Sequence, residues 1–195
     1  VLDENNETSV ERVIQAIDWA IEKDSDIISM SFGMKVDSEK LHRAGILLVA
    51  AGNDGETEYP AAYKEVMSVG AVDSVASQPK GSAGGKDVEV VAPGEFILSR
   101  GAFDSMQIFS GTSMAVPHVV GLASMLWQKD TSRTAGFIRS LIGATARECG
   151  TSGEYGHGLI DCEYALEHYD EFAALYQEEE SADYSDFTLD GMENE

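Results

Sequence analysis

Positive charge is what this sequence has least of. Thirteen Lys and Arg stand against 35 Asp and Glu, leaving a formal net charge of −22. A surface of that sign repels phosphate backbones and anionic lipid, which argues against nucleic acid and membrane as partners. No apolar run approaches the length that spans a bilayer. No signal peptide is visible, but the chain opens on Val1 and not on Met, so a secreted and a cytoplasmic location both stay open. Cysteine is scarce too: Cys149 and Cys162 allow one disulfide or two free thiols, and rule out a disulfide framework. Neither has partners at the tight spacing of a metal site, and no cofactor is identifiable from the residues. There is no internal repeat.

What is there reads as strands alternating with helices. Val10, Val13, Ile14, Ile17 and Ile21 fall on one face at helical spacing, and Thr8 with Glu11 makes a T-x-x-E capping box, predicting a helix over 8–23. "DIISMS" (26–31), "ILLVAA" (46–51), "VMSVGAV" (66–72) and "VEVVAP" (88–93) read as strands, the second as a continuous apolar run suited to a parallel strand covered on both faces. A stubby helix is expected over 38–43. The stretch 113–127 carries no formal charge and predicts a helix buried all round. Helices near 131–146 and 162–176 close the ordered part. The alternation implies an α/β fold of three layers, with a mainly parallel sheet between helices. From 178 to 195 the chain is acidic, without basic residues or periodicity, and reads as a disordered tail behind a domain of residues 1–177.

Two pieces carry candidate chemistry. In "FSGTSMAVPHVVG" (109–121), Ser113 heads the uncharged helix. Backbone N–H groups are unpaired at a helix start and the macrodipole is positive there, so an oxyanion forming beside Ser113 would be stabilised. Pro117 has no N–H for the carbonyl of Ser113, so the first turns must be irregular. Spacing alone is also satisfied by Thr112 or Ser113 as a plain N-cap. In "VAAGNDG" (49–55), an apolar strand ends in Gly52 and Asn53. A side-chain amide at a strand's C-terminal end projects into the crevice where α/β sheets bind ligands, and Asn53 is a candidate oxyanion donor. The same residues also make an ordinary turn.

Together these stretches resemble the subtilisin-like serine proteases. "SGTSMAVPHVVG" resembles the family's nucleophile signature and "VAAGNDG" its oxyanion-hole motif. The leading segment up to "ISMSFG", then "YPAAYKEVMSVGAVD", "VEVVAPG" and "YGHGLID", follow in the family's order over residues 1–166. The resemblance implies a subtilisin-like fold and a serine endopeptidase acting on a peptide or protein substrate. It implies Ser113 as nucleophile and Asn53 as oxyanion donor beside the Ser113 N–H. It implies Ser31, Phe32 and Gly33 as the strand that pairs with substrate and edges the specificity pocket. Ala51 and Gly52 match that pocket's floor and wall, and Asn6, Glu7 and Thr8 the opposite substrate-binding segment. Acidic residues near the pocket would favour basic side chains, but sequence does not place them. Calcium enters from the resemblance only, and no ligand for it carries over.

The family's D-[ST]-G and H-G-T-H motifs are absent. By the resemblance, the catalytic Asp and His are expected upstream of Val1, in an N-terminal segment of the same domain that would complete the sheet. Without that segment, an apolar sheet edge and helix faces are expected to be exposed. None of the four histidines fits the missing role. His118 follows Ser113 by five residues, about 500° of helical rotation and roughly 7.5 Å of rise, so the two side chains point about 140° apart. His42, His157 and His168 read as surface or packing residues. A serine without a base is a weak nucleophile, so the isolated chain is expected to be at best feebly active. Three readings stand: a protease completed by upstream residues, a peptide-binding pseudoprotease, or one half of a two-chain protease.

Overall fold

The computed structural model describes residues 1–5, 7–35, 46–50, 57–82, 84–101 and 104–176, with 46–50 described as backbone. The helix expected over 38–43, the residues Asn6, His42, Ala51, Gly52 and Asn53, and the acidic stretch 178–195 lie outside these. In chain order the described elements are α1 (Val10–Glu22), β1 (Ile27–Met30), β2 (Ile46–Ala50), β3 (Val66–Val72), β4 (Val90–Pro93), β5 (Ile97–Arg100), β6 (Met106–Phe109), α2 (Thr112–Lys129), α3 (Ala135–Ala144), α4 (Ser152–Tyr155), α5 (Cys162–Glu167) and α6 (Tyr169–Leu175).

The four apolar runs pair as one parallel sheet in the order β1-β2-β3-β4. Met30 lies opposite Val49, Val49 opposite Ser68, and Val69 opposite Val90. Every residue of β3 is buried, as befits a strand covered on both faces. Alternation sorts its side chains. Met67, Val69 and Ala71, with Val90 and Ala92 of β4, meet α2 and α3. Val66 faces the other way and joins Met30, Val13 and Ile17 beneath α1. Val72 and Val91 pack with Val88, Tyr155 and Leu159. Helices on both faces of a parallel sheet make the expected three-layer α/β architecture.

The uncharged helix is the centre of the larger core. Ala115, Val116, Val119, Leu122, Ala123 and Leu126 of α2 are all buried, and α2 lies across all four strands. Behind it, α3 contributes Phe137, whose ring meets Tyr169 and Phe172 edge-on at 5.5 Å. Arg139 of α3 holds Glu89 through Nε at 2.8 and 3.0 Å and through Nη2 at 2.6 Å, pinning α3 beside the entry to β4. Such a forked, charge-assisted pair fixes orientation as well as distance.

Three local expectations shift. The cap of α1 is Ser9 and not Thr8: Ser9 Oγ accepts from the Arg12 N–H at 3.3 Å, while the Thr8 hydroxyl donates to the Val1 carbonyl at 3.1 Å. Adjacent hydroxyls compete for one cap, and the chain entering from Val1 occupies the first. The helix expected over 162–176 breaks at His168 into α5 and α6, and the turn brings Tyr169 and Phe172 together onto Phe137. Third, "ILSR" and "MQIF" form an antiparallel hairpin, β5–β6, not anticipated above. Leu98, Met106 and Ile108 on it are all about 60% exposed (61%, 62% and 61%). The apolar exposure expected of the sheet edge does not appear there among the described residues: Ile27 and Ile28 of β1 are partly buried and Met30 is buried. Exposed apolar side chains lie on this hairpin instead, and Trp19 and Ile21 expose part of one helix face, α1.

Candidate active site

Ser113 stands in the first turn of α2, and its position is built by glycines on both sides. Gly111 is the N-cap residue with φ 141°, and it brings no side chain to cap the helix. Gly94 follows β4; its N–H donates to Val72 O at 2.9 Å, and its carbonyl accepts from Gly111 N at 2.7 Å. A Cβ on Gly94 would meet Ala71 Cβ at 2.6 Å and Gly111 O at 2.8 Å. The missing side chain therefore lets the start of α2 press against the ends of β3 and β4. The N-cap residue thus supplies no side-chain acceptor to this helix start, an arrangement suited to stabilising a developing anion.

The hydroxyl of Ser113 reaches across to the end of β1. Ser113 Oγ donates to the Ser31 carbonyl at 3.1 Å, and Ser31 Oγ donates back to the Ser113 carbonyl at 3.2 Å. Pro117 explains the second bond. It sits inside α2, four residues on, and offers no N–H, so the Ser113 carbonyl is left for an outside donor. The irregularity expected from Pro117 thus appears as a cross-link between helix and strand, in a helix that otherwise runs unbroken.

Beyond Ser31 the chain runs through Phe32 and Gly33 to Met34, which exchanges both backbone hydrogen bonds with Tyr59, at 2.7 and 2.8 Å. The segment 31–34 is therefore held at both ends, to Ser113 at one and to Tyr59 at the other. β1 is the edge of the described sheet, a place where an extended chain can add as a further strand. β2 runs parallel beside it and ends at Ala50, leading toward Ala51, Gly52 and Asn53, which lie outside the described residues.

The other predicted residues separate. Glu7 belongs to a turn in which Asp3 Oδ1 accepts from the Asn5 and Glu7 N–H groups, both at 2.9 Å. Those bonds hold the Asp3 carboxyl below its ordinary range. Among the described residues no hydrogen bond ties Glu7 or Thr8 to Ser31, Phe32, Gly33 or Ser113. None of the three described histidines is hydrogen-bonded to Ser113. His118 Nδ1 is 2.9 Å from the Met114 carbonyl of its own helix. His168 Nδ1 is 3.0 Å from the Tyr164 carbonyl, with the two rings stacked at 3.9 Å. His157 lies against Gly143 of α3. Cys149 and Cys162 are free thiols. Burial raises the pKa of both, and Asp161 adds to the rise at Cys162, so neither is an activated nucleophile. Among the described residues no three His, Cys, Asp or Glu side chains form a group able to hold a metal ion. A cleft of about 560 Å³, lined by Tyr63, Lys86, Glu89, Arg139 and His157, does not include Ser113. Its wall is the Arg139–Glu89 pair, whose charges already satisfy one another.

Sequence reasoning missed Glu58, whose side chain lies against Gly33: a Cβ on Gly33 would meet Glu58 Cβ at 2.8 Å, with the carboxylate closer still. Nothing in the order of residues joins positions 33 and 58. The Met34–Tyr59 pairing does.

Comparisons with known proteins agree with this architecture. The solved structure of the prenylagaramide maturation protease PagA matches with a TM-score of 0.77 at 25% identity, over 86% of this chain and 70% of that one. A thermostable alkaline protease of Halalkalibacterium halodurans is 41% identical over 170 residues, 82% of this chain and 47% of that protein. Subtilisin DY of Bacillus licheniformis is 35% identical over 181 residues, 86% of this chain and 66% of that protein. The chain thus spans about half to two thirds of the length of these two relatives. A model of the Subtilase family matches residues 1–158. The chain belongs to the subtilase family of serine proteases.

Proposed function

We propose that this chain is the nucleophile-bearing part of a subtilisin-like serine endopeptidase. Ser113 attacks the carbonyl of a peptide lying along residues 31–33, the C–N bond breaks and the protonated amine leaves, and water then hydrolyses the acyl-enzyme to free acid and Ser113. The Ser113 N–H and the Asn53 side-chain amide hold the oxyanion. The catalytic His and the Asp that orients it come from residues upstream of Val1, in an N-terminal segment that completes the domain. The observation that carries this reading is the placement of Ser113: a hydroxyl in the first turn of an uncapped helix, 3.1 Å from the carbonyl of a strand-edge residue. In that arrangement a substrate strand, the nucleophile and an anion-stabilising helix start meet at one point.

The Ser113 proton points at a carbonyl, which is no base. The hydroxyl must turn away from Ser31 toward the incoming histidine before it can react. Subtilisin itself is the type case for the size of this dependence, with loss of one triad member costing roughly 10⁴- to 10⁶-fold in turnover. The bond to Ser31 is also the one observation that favours a second reading, a peptide-binding pseudoprotease or one half of a two-chain enzyme. Labelling of the full-length protein with a serine-directed fluorophosphonate separates them. Labelling that disappears in Ser113→Ala supports the protease. Absence of labelling, or labelling unchanged by Ser113→Ala, overturns the nucleophile assignment.

A further inference from the structure

We propose that Glu58 makes this site select lysine or arginine as the residue on the N-terminal side of the scissile bond; the inference rests on the protease reading above. Three observations carry it. The first is position. Ser31 is bound to the nucleophile Ser113, and Gly33 is two residues further along the same segment, at most about 7 Å of chain. Glu58 lies against Gly33, and only because that residue has no side chain; a Cβ there would collide with Glu58 Cβ at 2.8 Å. The second is fixation. Glu58 directly precedes Tyr59, whose backbone is locked to Met34, and the Glu58 carbonyl accepts from Ala62 N at 3.0 Å. The backbone that carries its carboxylate is therefore held beside residues 31–33. The third is charge. Glu58 is half-buried, and among the described residues no cation is paired with its carboxylate.

A peptide added along residues 31–33 with its carbonyl at Ser113 sends the preceding side chain past Gly33. A lysine has a four-carbon stem that lies along apolar surface and ends in an ammonium; an arginine ends in a fork that matches a carboxylate. Either delivers its charge to the Glu58 carboxylate. Partial burial strengthens that attraction relative to water. An acidic residue in the same place is repelled, and an apolar one leaves the carboxylate without a partner.

The test uses the full-length protein that carries this chain and internally quenched peptides identical except for Lys, Leu or Glu before the cleaved bond. The expected order of kcat/KM is Lys, then Leu, then Glu. In Glu58→Gln the Lys-to-Leu ratio of kcat/KM falls about 10- to 100-fold, the range of a charge-assisted hydrogen bond. High salt weakens the Lys preference of the parent and not of the variant. Fluorophosphonate labelling of Glu58→Gln confirms that the variant is folded at Ser113. If all peptides are cut and Glu58→Gln leaves the Lys-to-Leu ratio unmoved, the inference is overturned and the protease reading stands. If no peptide is cut and Ser113 does not label, the protease reading falls and takes the inference with it.

Discussion

The two faces of the sheet are covered in different ways. On one, α2 is buried around most of its circumference and backed by α3, α5 and α6, giving a core that runs from Met67 to Tyr169. On the other, α1 is a single amphipathic cover: Val13 and Ile17 are buried, while Trp19 is 61% exposed on the same helix. The nucleophile candidate sits on the thick side. A reacting group must be held to a fraction of an ångström, and a helix packed between a sheet and further helices has little freedom to move. The proposed substrate segment belongs to the thin side, where Phe32 and Met34 pack with the α1 core. One side thus holds Ser113, the other supports the strand it faces, and the reciprocal bonds between Ser31 and Ser113 join them.

That asymmetry can be broken from either side. The largest effect is expected from Phe137→Ala, which empties the aromatic cluster behind α2; about 3–5 kcal/mol of stability should be lost, read by denaturant unfolding. Gly94→Ala forces a methyl against Ala71 and the Gly111 carbonyl. It should cost about 1–3 kcal/mol and also slow fluorophosphonate labelling, because the start of α2 must shift. A loss of stability with an unchanged labelling rate would show that Gly94 serves packing alone. Ser31→Ala removes the donor to the Ser113 carbonyl that Pro117 leaves open. About 1 kcal/mol is expected, with the α2 core otherwise intact. On the thin side, Ser9→Ala should cost about 1 kcal/mol and leave labelling untouched, since it loosens only the first turn of α1.

The smallest effect is in alkali. The folded-state pKa values of Cys149, Cys162 and Tyr169 are raised by burial, so their contribution is present below the ordinary thiol and phenol values and is lost as pH rises through the folded ones. Stability should therefore decline gently above about pH 9. At neutral pH both thiols should react slowly with a disulfide reagent, exposed Cys162 before half-buried Cys149.

Much of this was legible because it depends on local pattern. The uncharged run predicted a helix buried all round, and α2 departs from that: its sheet-facing residues are buried, but Pro117, Gly121, Ser124 and Met125 line an exposed stripe, because small and apolar residues carry no charge and still tolerate water. Pro117 did announce an open carbonyl at Ser113. The apolar runs of β1 to β4 declared a covered parallel sheet. The β5–β6 hairpin was not legible, since its outward apolar residues imitate neither a buried strand nor an amphipathic one. The Ser9 cap was hidden by an adjacent threonine of equal capping chemistry.

What the residues determined by themselves was the inventory: a serine at a helix start, an amide after a strand, an acidic chain with no triad histidine motif, and the order of elements that makes a three-layer fold. These follow from short-range periodicity and from the chemistry of single side chains. Only the tertiary structure decided who meets whom. It closed Ser31 on Ser113 across 82 positions of chain and laid Glu58 along Gly33. Such pairings depend on strand register and on which residue lacks a side chain at the point of contact, and neither is written in the neighbours of either residue.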